Sequence, residues 1–89
     1  MHYNLTISGK VQGVFFRKSA RDKAWELGIT GYAMNMPDGS VHIEAEGEQD
    51  KLDEFMAWCK KGPEGARVDK LESGRGEEIK FDKFEIRYL

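Results

Sequence analysis

Cysteine is nearly absent from this sequence: Cys59 is the only one in 89 residues. A disulfide within the chain is therefore impossible, and a cysteine-rich metal site is excluded. Cys59 falls at an apolar position of an expected helix and reads as a buried structural thiol. An excess of one charge is missing too. Fourteen basic residues face sixteen acidic ones, for a net charge of −2. That balance gives no electrostatic case for binding nucleic acid or an anionic membrane. No apolar run approaches the ~18 residues that a membrane span needs. The opening residues, Met1-His2-Tyr3-Asn4, lack the charged-then-apolar build of a secretory signal. The expectation is a cytoplasmic protein.

Eighty-nine residues suit one domain and are too few for two, so residues 1–89 are expected to form a single domain. Turn signals divide the chain. Residues 3–8 alternate apolar and polar and read as a half-buried strand. A loop with glycines four apart, Gly9 and Gly13, leads into a helix over residues 16–27. Phe16, Ala20, Ala24 and Leu27 share one face of it at helical spacing, and Gly28 is placed to cap its end. Residues 29–35 read as a strand, Met36-Pro37-Asp38-Gly39 as a tight turn, and residues 40–46 as the second arm of a hairpin. A second helix is expected over residues 49–61, with Leu52, Phe55, Met56 and Cys59 inward. Its acids, Glu48 and Asp50, lie at the N-terminus, and Lys60 and Lys61 at the C-terminus, as the helix dipole favours. Gly62-Pro63 stops it. Residues 67–72 read as a fourth strand, 73–76 as a loop and 81–88 as a last strand with Phe84, Ile86 and Tyr88 alternating. The order is β-α-β-β-α-β plus a final strand. Both helices are expected on one face of an antiparallel sheet, which is an α+β, ferredoxin-like two-layer sandwich.

Two residues break local rules, and such breaks gather at functional sites. Arg17 opens the first helix with Lys18 beside it. Positive charge in a first turn opposes the helix dipole, at about 0.3–1 kcal/mol. One arginine there reads as a solvated surface residue. Two cations beside a glycine-spaced loop make an anion site more attractive, where backbone N–H groups converge and a guanidinium fork binds phosphate oxygens. Asn35 ends a strand, where asparagine is disfavoured. It reads as a turn residue, yet a β-α-β crossover makes the first two strands parallel. Their C-terminal ends then share a sheet edge, which brings Asn35 toward the loop.

At these residues the sequence resembles the acylphosphatase family. Gly9-Lys10-Val11-Gln12-Gly13-Val14-Phe15-Phe16-Arg17 is similar to its first signature, G-x-V-Q-G-V-x-F-R. Gly31-Tyr32-Ala33-Met34-Asn35-Met36-Pro37-Asp38-Gly39-Ser40-Val41 is similar to its second, and the likeness covers essentially the whole chain. The resemblance implies hydrolysis of acyl phosphates to a carboxylate and inorganic phosphate, without metal or other cofactor. It implies that Arg17 binds the phosphate and that Asn35 positions the attacking water. The backbone amides of Gln12, Gly13, Val14, Phe15 and Phe16 are implied to cradle the phosphoryl group. Ala33 and Met34 differ from the commoner family choices but touch neither catalytic position.

The chemistry suits these residues. Phosphoryl transfer needs mainly positioning and charge stabilisation. No strong general base is evident, because His2 at the terminus and His42 in the hairpin are both expected to face solvent. The Glu44 and Glu46 pair merely shares a sheet face and gives no case for a metal. One rival is a ferredoxin-like RNA-binding module, but such modules carry stacking aromatics on a central strand. Residues 40–46 have no aromatic and two acids. A second rival is a sensor that binds acyl or carbamoyl phosphate without turnover. The expected partners are an acyl phosphate and phosphate, with no nucleic acid and no membrane, in a monomer.

Overall fold

Two amphipathic helices with glycines at their C-terminal ends dominate one side of the molecule. The structure, a computed structural model, describes all of residues 1–89. Its elements are β1 His2–Lys10, α1 Phe16–Leu27, β2 Thr30–Asn35, β3 Val41–Glu46, α2 Gln49–Lys61, β4 Arg67–Arg75 and β5 Phe84–Arg87. Gly28 turns left-handed at φ 71° and its N–H closes on the carbonyls of Ala24 and Trp25, ending α1. Phe16, Ala20 and Ala24 of α1, with Leu52, Phe55 and Cys59 of α2, are buried against Leu5, Ile7, Val41, Ile43 and Ala45 of the sheet. Each large apolar side chain so buried contributes about 1.5–3 kcal/mol. Burial also pushes the Cys59 thiol above its usual pKa, as an inert structural cysteine requires.

The sheet order is β4-β1-β3-β2-β5. β1 and β2 both run antiparallel to β3, which lies between them. They are therefore parallel to each other, and their C-terminal ends share one edge of the sheet. Ile7 and Asn35 both pair with Val41. Asn35 thus stands level with Ile7, three residues before the end of β1, and two strand spacings away from it, or about 10 Å. Alternation along β2 puts Asn35 on the same face as buried Ala33, the face covered by the helices.

The structure differs from the sequence reading in three places. β4 continues through Ser73, Gly74 and Arg75, which pair with Leu5, Asn4 and Tyr3. Gly74 marks a close approach and not a turn, because a Cβ there would lie 2.8 Å from the Asn4 side chain. β5 begins at Phe84 and pairs parallel to β2, so the sheet is mixed and not wholly antiparallel. Tyr88 lies beyond its end and is exposed.

The third difference concerns the face away from the helices. His2 was expected in solvent and is 4 % exposed; His42 is half-buried. Residues 76–83, which link the two edges of the sheet, fold back as a strap over this face. The Glu46 carboxylate accepts hydrogen bonds from the N–H groups of Ile79, Lys80 and Phe81, the last two at 2.8 and 3.2 Å. One His2 ring nitrogen meets Glu46 at 2.6 Å and the other meets Glu44, which also pairs with His42. The Phe81 ring stacks on His2 and meets Tyr32 edge-on. Burial disfavours the charged imidazole of His2, but its bonds to Glu46 and Glu44 outweigh this and raise its pKa. Burial likewise opposes the Glu46 charge, yet the strap N–H groups and His2 win and lower its pKa to about 2.

Candidate active site

The site is built where β1 hands over to α1. Lys10 ends the strand, and α1 starts only at Phe16. Gly13 takes φ 76° and Phe15 takes φ 60°, both left-handed. For glycine this is free; for phenylalanine it is strained, and such strain clusters at binding sites. Left-handed residues alternating with others are the backbone pattern from which nests of N–H groups are built. The N–H groups of residues 12–16 find no acceptor elsewhere in the chain. Phe15 occupies the N-cap position without a capping side chain, and no acid lies in the first turn. The donors at the start of α1 are left open, where a capping serine or aspartate would otherwise close them.

A clamp ties this loop to the hairpin. The Gln12 side chain donates to the Met36 and Ser40 carbonyls, at 2.9 Å each. Met36 N–H in turn donates to Ser40 O at 2.9 Å. Asp38 holds the turn by accepting from the Ser40 hydroxyl at 2.6 Å and its N–H at 3.0 Å. These bonds to Ser40 lower the Asp38 pKa. The sequence reading assigned Gln12 only a backbone amide. Its side-chain role shows in no periodicity, because its acceptors are carbonyls 24 and 28 residues away.

Arg17, Lys18, Gly13 and Asn35 line one cavity of about 440 Å³, together with the expected Phe15 and Phe16. Gln12 and Val14 do not reach its wall. The Arg17 guanidinium forms no ion pair, unlike those of Arg21, Arg67 and Arg87. It lies 5.0 Å from the centre of the Tyr88 ring. The Asn35 Oδ1 is buried without a hydrogen-bond partner. An acceptor left so costs about 1–3 kcal/mol, which is uncommon without a reason. A somewhat larger cavity, about 520 Å³, lies beside Glu46, Glu78 and Lys80 and has no arginine in its wall. No three His, Cys, Asp or Glu side chains are grouped to hold a metal.

A ferredoxin-like sandwich with open backbone amides and an arginine free of ion pairs at its β1–α1 turn has the build of a small α/β protein suited to an anionic ligand. Comparison with known proteins narrows the class. The sequence profile of the Acylphosphatase family matches residues 3–86. The acylphosphatase of Marinobacter nauticus is 52 % identical over 69 residues, covering 78 % of this chain and 75 % of its own. That of Synechococcus sp. is 44 % identical over 85 residues, covering 96 % and 73 %. Among solved structures, an acylphosphatase from Coxiella burnetii superimposes with a TM-score of 0.94 at 38 % identity, over 97 % of this chain and 90 % of its own. One from Bacillus subtilis gives 0.94 at 30 % identity, over 98 % of both. The chain belongs to the acylphosphatase family. It is an enzyme that hydrolyses the carboxyl–phosphate bond of small acyl phosphates, releasing a carboxylate and inorganic phosphate.

Proposed function

We propose that Arg17 and the amides of residues 12–16 grip the phosphoryl group, and that Asn35 aligns the water that attacks it. One observation carries this reading: Gly13, Phe15 and Phe16, whose amides are unpaired, line one cavity with Arg17, which forms no ion pair, and with Asn35, whose side-chain oxygen lacks a partner. In the loose transition state of phosphoryl transfer, charge spreads over three equatorial oxygens. The guanidinium fork takes two of them and the nest takes the rest. Donors of this kind typically contribute ~2.7–4 kcal/mol each. Asn35 accepts a hydrogen bond from water and donates one to phosphate. Holding water on the line of attack removes much of its entropic barrier. His2 and His42 lie on the opposite face of the sheet, so the substrate phosphate or a second water takes the proton. Nothing in this scheme calls for a metal. The same reading has the enzyme working as a monomer in the cytoplasm, without nucleic acid.

The test is phosphate release from acetyl phosphate. Arg17→Ala should lose turnover and phosphate inhibition together. Asn35→Ala should lower kcat at least 100-fold while phosphate still inhibits. Near-normal turnover in either variant would remove that residue from the mechanism.

A further inference from the structure

The charged groups account for one side of the active-site cavity; the other side is apolar. Phe15, Ile86 and Tyr88 form part of its wall. Phe15 is 78 % exposed and Tyr88 76 %. An aromatic ring usually hides 150–250 Å² in a core, and these two leave most of theirs at the mouth of one cavity. Phe15 does so from a strained left-handed position, φ 60°. Tyr88 has its ring against the Arg17 guanidinium, 5.0 Å from its centre. The apolar rim therefore begins where the phosphate-binding group ends.

Reaction geometry says what this rim meets. Attack on phosphorus is in line, with water entering opposite the leaving group. With Asn35 holding the water, the acyl oxygen departs on the far side of the phosphorus, toward the cavity mouth. A small acyl group such as acetyl ends before it reaches the rings. A flat or branched apolar one extends among them, where stacking and burial are both available. Lys18, which also lines the cavity, is the one further cation there that would favour a negatively charged acyl chain instead.

We infer that Phe15, Ile86 and Tyr88 form an acyl-group subsite, and that the enzyme selects acyl phosphates with aromatic or bulky apolar acyl groups over short or anionic ones. This rests on the phosphate assignment above and adds a substrate preference to it.

The experiment compares kcat/KM for benzoyl, acetyl and succinyl phosphate in the wild type, Phe15→Ala and Tyr88→Leu. Taking each variant's benzoyl-to-acetyl ratio against the wild-type ratio cancels the intrinsic reactivity of the two anhydrides. The ratio should fall about tenfold in Phe15→Ala and less in Tyr88→Leu, chiefly through KM for benzoyl phosphate. Phenylphosphonate should also inhibit the wild type at least tenfold more tightly than methylphosphonate, a measurement that needs no variant. A parallel loss on both substrates, an unchanged ratio, equal phosphonate affinities or a preference for succinyl phosphate would each overturn the subsite while leaving the phosphate assignment standing. Loss of all three activities in the wild type would instead defeat the assignment beneath it.

Discussion

Replacing Glu46 by glutamine should destabilise the protein by about 3 kcal/mol at pH 7, and much less in acid. Glu46 is 7 % exposed and its carboxylate takes three N–H groups of the strap and one His2 nitrogen. Its pKa falls from 4.5 to about 2, and each unit is worth 1.36 kcal/mol. Because the folded pKa is the lower one, this stability is fully present above pH 4.5 and is lost as pH falls toward 2. At pH 3 about one unit remains, or roughly 1 kcal/mol. Glutamine keeps the shape but removes the charge, and turns an NH₂ group toward a donor. Urea unfolding followed by circular dichroism at pH 7 and pH 3 measures both gaps. A gap below about 0.5 kcal/mol at pH 7, or one that does not shrink in acid, would refute the view that Glu46 pins the strap by its charge.

Gln12→Ala removes both hydrogen bonds between the cradle loop and the hairpin, about 0.5–1.5 kcal/mol each. Steady-state kinetics should show kcat lowered tenfold or more, with circular dichroism confirming an intact fold. Gly31→Ala should cost more than ~3 kcal/mol or prevent folding, because a Cβ there would sit 1.8 Å from the Glu44 carbonyl at φ 141°; thermal unfolding decides. His2 has a raised pKa, so its contribution is complete below about pH 6.5 and declines as pH rises through the folded value. His2→Ala should therefore be most destabilising below neutrality and progressively less so toward pH 9, in the same urea assay.

How much of this was legible in the sequence depended on the range of the interactions. The bounds of both helices were read correctly because periodicity and the glycines at 28 and 62 are local signals. Arg17 and Asn35 stood out because each violates a preference that its own element sets. The strap was not legible. His2 reads as a terminal, solvated residue until residues 76–83 cover it, and only Glu46, far along the chain, shows why. Phe81 looked like the start of a strand, yet its ring serves as the lid over His2 and Tyr32. Ser73-Gly74-Arg75 has the composition of a loop and pairs as a strand because Asn4 needs the space that Gly74 leaves. The Gln12 side chain was hidden for the same reason: its partners are backbone carbonyls, which leave no mark on residue type.

The most direct probe of the central claim is an ¹⁵N NMR titration with inorganic phosphate. The amide signals of residues 12–16 and the Arg17 side-chain Nε–H should shift together with a single Kd, and keep doing so in Asn35→Ala. Shifts confined to other parts of the chain, or a titration unaltered by Arg17→Ala, would contradict the account.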